Sequence, residues 1–374
     1  MAIKITVGGD FCVTAPYTSA KLFSQKFIEL FNESDLNIVN LECPVIEDDN
    51  DEKILKTGPH LSTNNEIFDL FRQINIHAVT LANNHILDFG AKGLQSTITG
   101  CQKNNIITTG AGQNLSEATK PAIIERQGLK IALINFCEHE FSIASDKLPG
   151  ANPLDLIDNS KEIRKARQNA DFVLVIIHGG HEHYNLPSPR MVKQYHFFAD
   201  NGADAIICHH AHCISGIEVY NDVPIFYGIG NLLFTLPCKN KGWNNGLLVQ
   251  LELNKGLPLK WNIIPTQQST DNYFLSPCSD KESLGIREEV RTYSNIISQS
   301  KTLTDRWVSY AKEMEPFILN DLSPVPGRYI RAAFRRLGFN NIIFRKEYAV
   351  QLLNLIECES LSDLSQHILK LKKL

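Results

Sequence analysis

Residues 172–183 read Phe-Val-Leu-Val-Ile-Ile-His-Gly-Gly-His-Glu-His, an apolar run of strand length that ends in three histidines. The pattern returns at Ala205-Ile-Ile-Cys208, which leads into His209-His210-Ala211-His212. Seven of the chain's twelve histidines fall between His178 and His212. His196 lies in a helical pattern and reads as structural. The other six form two groups, each directly after a strand, where α/β folds present side chains to a crevice. Imidazole is the commonest metal-ligating side chain, and an H-x-H pair on an extended segment aims alternate side chains at one centre. Two such groups point to a metal site.

Outward from these strands, short β-branched runs alternate with amphipathic stretches as far as about residue 270, a rhythm that predicts an α/β architecture with much parallel pairing. Strands are expected at Ile3–Val7, Asn37–Leu41, Ala78–Leu81, Ile106–Thr109, Lys130–Asn135, Phe172–His178 and Ala205–Cys208. Helices are expected near Leu22–Phe31, Glu66–Ile74, Lys92–Asn104, Ser160–Asn169 and Arg190–Asn201. After Cys208 come strands without intervening helices, at Ile217–Tyr220, Ile225–Gly228, Leu247–Leu253 and Lys260–Pro265. They read as a β-meander forming a second sheet packed on the first. A polar stretch at 271–283, containing Pro277, marks a boundary between a domain at 1–270 and an all-helical extension at 281–374. Helical periods there cover Lys281–Ser300, Thr304–Met314, Gly327–Leu337, Glu347–Cys358 and Leu361–Leu374, with Pro316, Pro324 and Pro326 interrupting between the second and third.

Thirty-seven basic and 41 acidic side chains give a net charge of −4, which argues against a dedicated nucleic-acid binder. Nine cysteines, an odd number with no C-x-x-C, suggest reduced thiols in a cytoplasm rather than a disulfide framework. The chain opens on a strand pattern with no basic n-region or apolar h-region, and its apolar runs fall far short of the roughly 20 residues a membrane span needs. A cytoplasmic protein is expected.

Other strand ends carry oxygen ligands. Asp10 follows Gly8-Gly9, Glu42 follows Asn40-Leu41, and Asn83-Asn84-His85 follows Val79-Thr80-Leu81. Carboxylates, an amide oxygen and several imidazoles at one sheet edge suit a pair of divalent ions such as Mn, Fe or Zn better than Ca or Mg, which prefer all-oxygen shells.

In this order, Asp10, Glu42, Asn84-His85, His178 and His210-Ala-His212 resemble the calcineurin-type metallophosphoesterase series. More closely, Leu81-Ala-Asn-Asn-His-Ile-Leu-Asp-Phe-Gly90, His178-Gly-Gly-x-Glu182, Asn201-Gly-Ala-Asp204 and Tyr227-Gly-Ile-Gly-Asn231-Leu-Leu-Phe234 resemble the CapA-type capsule or poly-γ-glutamate synthesis family, over residues 2–270. The resemblance implies a two-sheet sandwich flanked by helices, with two divalent transition-metal ions at the sheet ends. One ion would take Asp10, Glu42 and His212. The other would share Glu42 and add Asn84, His178 and His210. His85 would act as general acid, oriented by Asp88. The chain departs from the phosphoesterase pattern at Cys12, where the usual D-x-H has its histidine, and at Glu42, which stands for an aspartate. Cys12 is either a thiolate ligand or a small buried residue.

Glu182 and Tyr184 either bind substrate or hold their loop; His181 and His183 either touch an anionic substrate or are solvated. His209 joins Glu182, Tyr184 and His181 as a substrate-binding candidate. Cys137-Glu138-His139-Glu140 follows a strand and either rims the pocket or is ordinary loop. The tail carries Arg328, Arg331, Arg335 and Arg336 among Tyr329, Ile330, Phe334 and Leu337, either a packed helix with a solvated arginine face or a basic amphipathic helix (327–337) meeting a membrane, polyanion or partner. The functional expectation is a metal-dependent hydrolase of phosphoester or related bonds in capsule or exopolymer synthesis, acting on an anionic polymer or a phosphorylated precursor. Its rival is a non-catalytic, metal-containing accessory protein that binds such a polymer or a partner polymer synthase.

Overall fold

Period-two burial organises the body of the protein. Along Phe172–His178, the side chains of Phe172, Leu174 and Ile176 enter one core and those of Val173, Val175 and Ile177 enter another. Successive side chains of a strand point to opposite faces, so a strand apolar at every position lies between two apolar layers. The computed structural model describes residues 2–18, 21–47, 52–240, 242–325 and 327–373. In chain order its first strands are β1 (Ile3–Cys12), β2 (Leu36–Leu41), β3 (Ala78–Thr80), β4 (Ile107–Thr109), β5 (Ala111–Gly112), β6 (Ala122–Arg126), β7 (Leu129–Cys137) and β8 (Gly150–Ala151). They are followed by β9 (Phe172–His178), β10 (Ala205–His209), β11 (Ile217–Tyr220), β12 (Val223–Phe226), β13 (Asn231–Phe234), β14 (Asn245–Leu253), β15 (Lys260–Gln268) and β16 (Leu275–Pro277).

The first sheet has the order β16-β15-β14-β1-β2-β3-β4, with β13 also paired to β1; the second has the order β11-β12-β10-β9-β7-β6. Strands β1 to β4 run parallel, as do β7, β9, β10 and β12. Ile5, Val7, Ile38 and Val249 of the first sheet meet Ile131, Leu133, Leu174 and Ile207 of the second in the middle core. Helices Gln25–Asn32, Ile67–Gln73 and Gly90–Lys103 cover the outer face of the first sheet through Phe27, Phe71 and Leu94. Leu156–Asn169 and Pro189–Asp200 cover the second through Ile163, Tyr195 and Phe198. Asp155 accepts the amides of Ile157 and Asp158, and Ser188 that of Met191 ahead of Pro189 in the first turn, which starts both helices where the sequence changes period. The architecture is the expected α/β two-sheet sandwich flanked by helices.

Three details differ from the sequence reading. The strands after β10 do not form one meander: β11 and β12 edge the second sheet, while β13 to β16 build the first. Alternation reports which residues face a core but not which neighbour a strand takes. Helix Asp280–Ile297, expected in the C-terminal extension, packs on the body, with Ile286 and Val290 buried in the middle core. Accordingly the chain divides into Met1–Leu303 and Thr304–Leu374. Helix Ser300–Asp321 also runs through Pro316, which the sequence reading took as an interruption. In the second unit, the helices Arg328–Arg336, Asn340–Ile343, Lys346–Glu357 and Glu359–Lys373 follow. The Arg335 guanidinium there stands 4.7 Å from the centre of the Phe317 ring. Among the described residues, no helix is long and apolar enough to cross a membrane.

If Asp280–Ile297 belongs to the body, Ile286→Ala will lower the stability of the full chain by roughly 2–4 kcal/mol. Leu284→Ala on the same helix, at a side chain 69% exposed, will change it by less than about 0.5 kcal/mol. Denaturant unfolding compares the two, and equal effects would place the helix outside the core.

Candidate metal centre

The parallel strands of both sheets deliver their C-terminal ends to one place. Asp10 lies near the end of β1, Glu42 directly after β2 and Asn84 shortly after β3; His178 ends β9, and His210 and His212 follow β10. The first sheet thus supplies oxygen ligands and the second supplies imidazoles. At Gly9 the chain of β13 comes so near that a methyl group would sit 1.9 Å from the Gly230 carbonyl oxygen. This close approach sets Asp10 opposite Asn231. Beyond β10 the backbone turns sharply, with φ of 85° at His210 and 50° at His212. Left-handed backbone at two side chains that are not glycine is a local strain that the surrounding contacts must hold.

Two sets of three ligand atoms converge, Asp10, Glu42 and His212 in one and Glu42, His178 and His210 in the other; within each set all atoms lie within 4.8 Å of one another. Glu42 Oε1 is 3.4 Å from His178 Nε2 and 3.6 Å from His212 Nε2. Asn84 Oδ1 and His210 Nδ1 each lie 3.1 Å from His178 Nε2. One imidazole nitrogen holds at most one proton, so it cannot satisfy all three neighbours, and a cation resolves the crowding of lone pairs. Both Glu42 oxygens are buried without a hydrogen-bond donor among the described residues. An ionised carboxylate left that way is strongly disfavoured. Burial, and then the charge of Asp10, push the Glu42 carboxyl well up. Burial raises Asp10 too, but its hydrogen bond with His212 and the charges of His209, His212 and His178 outweigh this and hold it well below the usual range. Burial and neighbouring His210 push His178 well down. The donor set fits divalent transition ions.

Around these atoms runs a second layer. Asn40 donates to Asp10 Oδ1 at 2.7 Å and faces His178 Nδ1 at 3.2 Å; its own Oδ1 accepts from Thr80 and Asn83. Asn231 Oδ1 lies 2.9 Å from His212 Nδ1, and the Trp243 ring packs 4.9 Å from that imidazole. His85 Nδ1 is 2.7 Å from Asp88 Oδ2, and the same oxygen accepts the Leu61 amide at 2.7 Å. The other Asp88 oxygen pairs with Lys56, whose Nζ is also 3.0 Å from His85 Nδ1. Burial lowers the His85 imidazole pKa, with Lys56 adding to this and Asp88 opposing it. Lys56, Asn40 and Trp243 went unnoticed in the sequence. Lys56 lies in an unpatterned stretch, and only the Asn40-Leu-Glu42 motif held a signal.

The remaining candidates divide. Glu182 is exposed, and its charge reaches Glu42 and His212. Half-buried His181 stacks edge-on to Tyr184 at 6.5 Å, and Tyr184 packs on the outer core of the second sheet. His209 is 1% exposed, with Nδ1 4.0 Å from Asp10 Oδ1. As the last residue of β10, its side chain turns into the body. Cys12 sits in the apolar core with Cys43, and that hydrogen-bonded neighbour, then burial, push its thiol well up; among the described residues neither ligand set includes it.

The model of the bacterial capsule synthesis protein family PGA_cap matches residues 4–236. The chain belongs to this family. It is 33% identical over 242 residues to the PGA biosynthesis protein CapA of Bacillus subtilis (strain 168), covering 63% of this chain and 62% of that protein. It is 31% identical over 236 residues to the capsule biosynthesis protein CapA of Bacillus anthracis, covering 60% of this chain and 56% of that protein. The chain thus spans about three fifths of the length of these curated relatives. Among solved structures, a novel phosphatase from Mycoplasma pneumoniae aligns at 14% identity with a TM-score of 0.46, covering 73% of this chain and 96% of that one. That likeness is too distant to bear on the chemistry.

Lys56→Met leaves the Asp88 carboxylate buried without its cation, and the full chain will lose about 3–5 kcal/mol in denaturant unfolding. A loss under about 1 kcal/mol would show that Leu61 and His85 suffice to hold Asp88.

Proposed function

We propose that the protein is a divalent-metal-dependent hydrolase of phosphoester or related bonds, working in capsule or exopolymer synthesis. Glu42 carries the reading, as a buried carboxylate shared by two ligand sets with no hydrogen-bond donor for either oxygen among the described residues. Asp10, Glu42 and His212 would hold one ion, and Glu42, Asn84, His178 and His210 the other. Such a pair, when bound, supplies Lewis acidity to a phosphoryl oxygen and readies a water for attack. The protein's own part is orientation and proton transfer. Asp88 ties down His85 Nδ1, which leaves Nε2 facing the departing oxygen; the imidazolium form, with a proton on each nitrogen, would give its Nε2 proton to that oxygen. Lys56 fixes the far side of Asp88, so the dyad cannot swing away. Asn40 and Asn231 fix Asp10 and His212 in the same manner. Glu182, His181 and Tyr184, on the loop after β9, are the side chains we assign to substrate contact. Membership of a capsule-synthesis family supports an anionic polymer or a phosphorylated precursor as substrate and a polymer synthase as partner.

Purified protein should hold about two transition-metal ions per chain by elemental analysis. His85→Ala should keep them while aryl-phosphate hydrolysis falls by roughly 10²–10⁴-fold. Protein that binds no metal, and gains no activity with added Mn²⁺, overturns the reading. Two bound ions without turnover on any phosphoester would favour the accessory role, with polymer binding that weakens in salt.

A further inference from the structure

Glu140 stands on the loop after β7, with its side chain one-third exposed. It lines a cavity of about 460 Å³ with Glu138, His139, Arg190 and His210. Both of its oxygens are engaged. Oε1 is 3.3 Å from His210 Nε2, and Oε2 accepts the Asn84 amide Nδ2 at 3.2 Å. The opposite ends of these two partners point the other way, with His210 Nδ1 and Asn84 Oδ1 each 3.1 Å from His178 Nε2.

We propose that Glu140 is a positioning residue that sets the donor atoms of the second ion site, the one built from Glu42, Asn84, His178 and His210. This rests on the two-metal reading above. An amide and a neutral imidazole each have a donor end and an acceptor end. A carboxylate only accepts, so one facing both side chains forces their N–H groups toward itself. The imidazole is thereby fixed with its proton on Nε2, and the amide with its oxygen inward. Nδ1 and Oδ1 are then presented together to a cation. Reversal of either side chain would aim N–H bonds at it. A single carboxylate thus orients two ligands at once, and it does so from the cavity wall rather than from the buried core. The first site has no such dependence. Asp10 leans on Asn40 and on the His210 amide, and His212 leans on Asn231. The two sites are therefore unequal, and the second depends on a residue that solvent reaches.

Glu140→Gln tests this, because an amide offers one acceptor and one donor and must face one of its partners wrongly. Mn²⁺ titrated into chelator-treated full-length protein, with the free ion followed by electron paramagnetic resonance, counts the sites and their affinities. The wild type should bind two ions. The variant should bind one with unchanged affinity and the other 10- to 100-fold more weakly. Glu140→Ala should show the same single-site loss, and both metal-free variants should melt with the metal-free wild type. Two ions bound by the variants as tightly as by the wild type would overturn the proposal. So would equal weakening of both sites, or a lowered melting temperature without metal, since Glu140 would then support the loop as a whole. A wild type that binds fewer than two ions would instead overturn the two-metal reading, which the unmutated protein alone decides.

Discussion

Two carboxylates, Asp10 and Glu42, lie fully buried within reach of the same histidines, and among the described residues neither oxygen of Glu42 meets a hydrogen-bond donor. A buried polar group without a partner costs about 1–3 kcal/mol, and a charged one costs more. The fold tolerates this because the strands carrying these groups are anchored elsewhere. Ile5 and Val7 of β1 and Ile38 of β2 are completely enclosed in the middle core, and Val39 and Leu41 in the outer one. Apolar packing along the strands thus fixes the position of a polar cluster that would not assemble by itself. The left-handed turns at His210 and His212 belong to the same balance. Each is a local cost of about 1–3 kcal/mol that only a well-packed frame sustains.

Much of this was legible in the sequence because burial and period leave direct traces. The strands Phe172–His178 and Ile217–Tyr220 have the bounds their apolar patterns indicate. The six proposed ligands converge because each stands at or just after the C-terminal end of a parallel strand, a position the α/β rhythm locates by itself. Other features left no trace. β13 covers only Asn231–Phe234, inside a glycine-containing stretch, and its partner β1 is more than 200 residues away in the chain. Lys56 acts through a single ion pair, and neither its neighbours nor its spacing distinguish it from a solvated lysine. His209 shares a cluster with two convergent histidines, but it ends β10 level with His178 and lies buried beside Asp10, whereas His210 and His212 follow the strand.

The second layer divides the labour in a way composition cannot show. Asparagines serve the buried half, where Asn40, Asn83 and Asn231 each donate and accept without adding charge. Charged groups are paired where they are buried, as Lys56 and Asp88 are beside His85, or reach solvent, as Glu140 does at the cavity. This fits the rule that net charge is tolerated only where it is paired or hydrated.

The split origin of the ligands has a consequence for assembly. Oxygen donors come from one sheet and imidazoles from the other, so the site does not exist until the two sheets have docked. An ion bound there would act as a rivet through one edge of the sandwich, and its binding energy would enter the docking of the two sheets rather than the formation of either one.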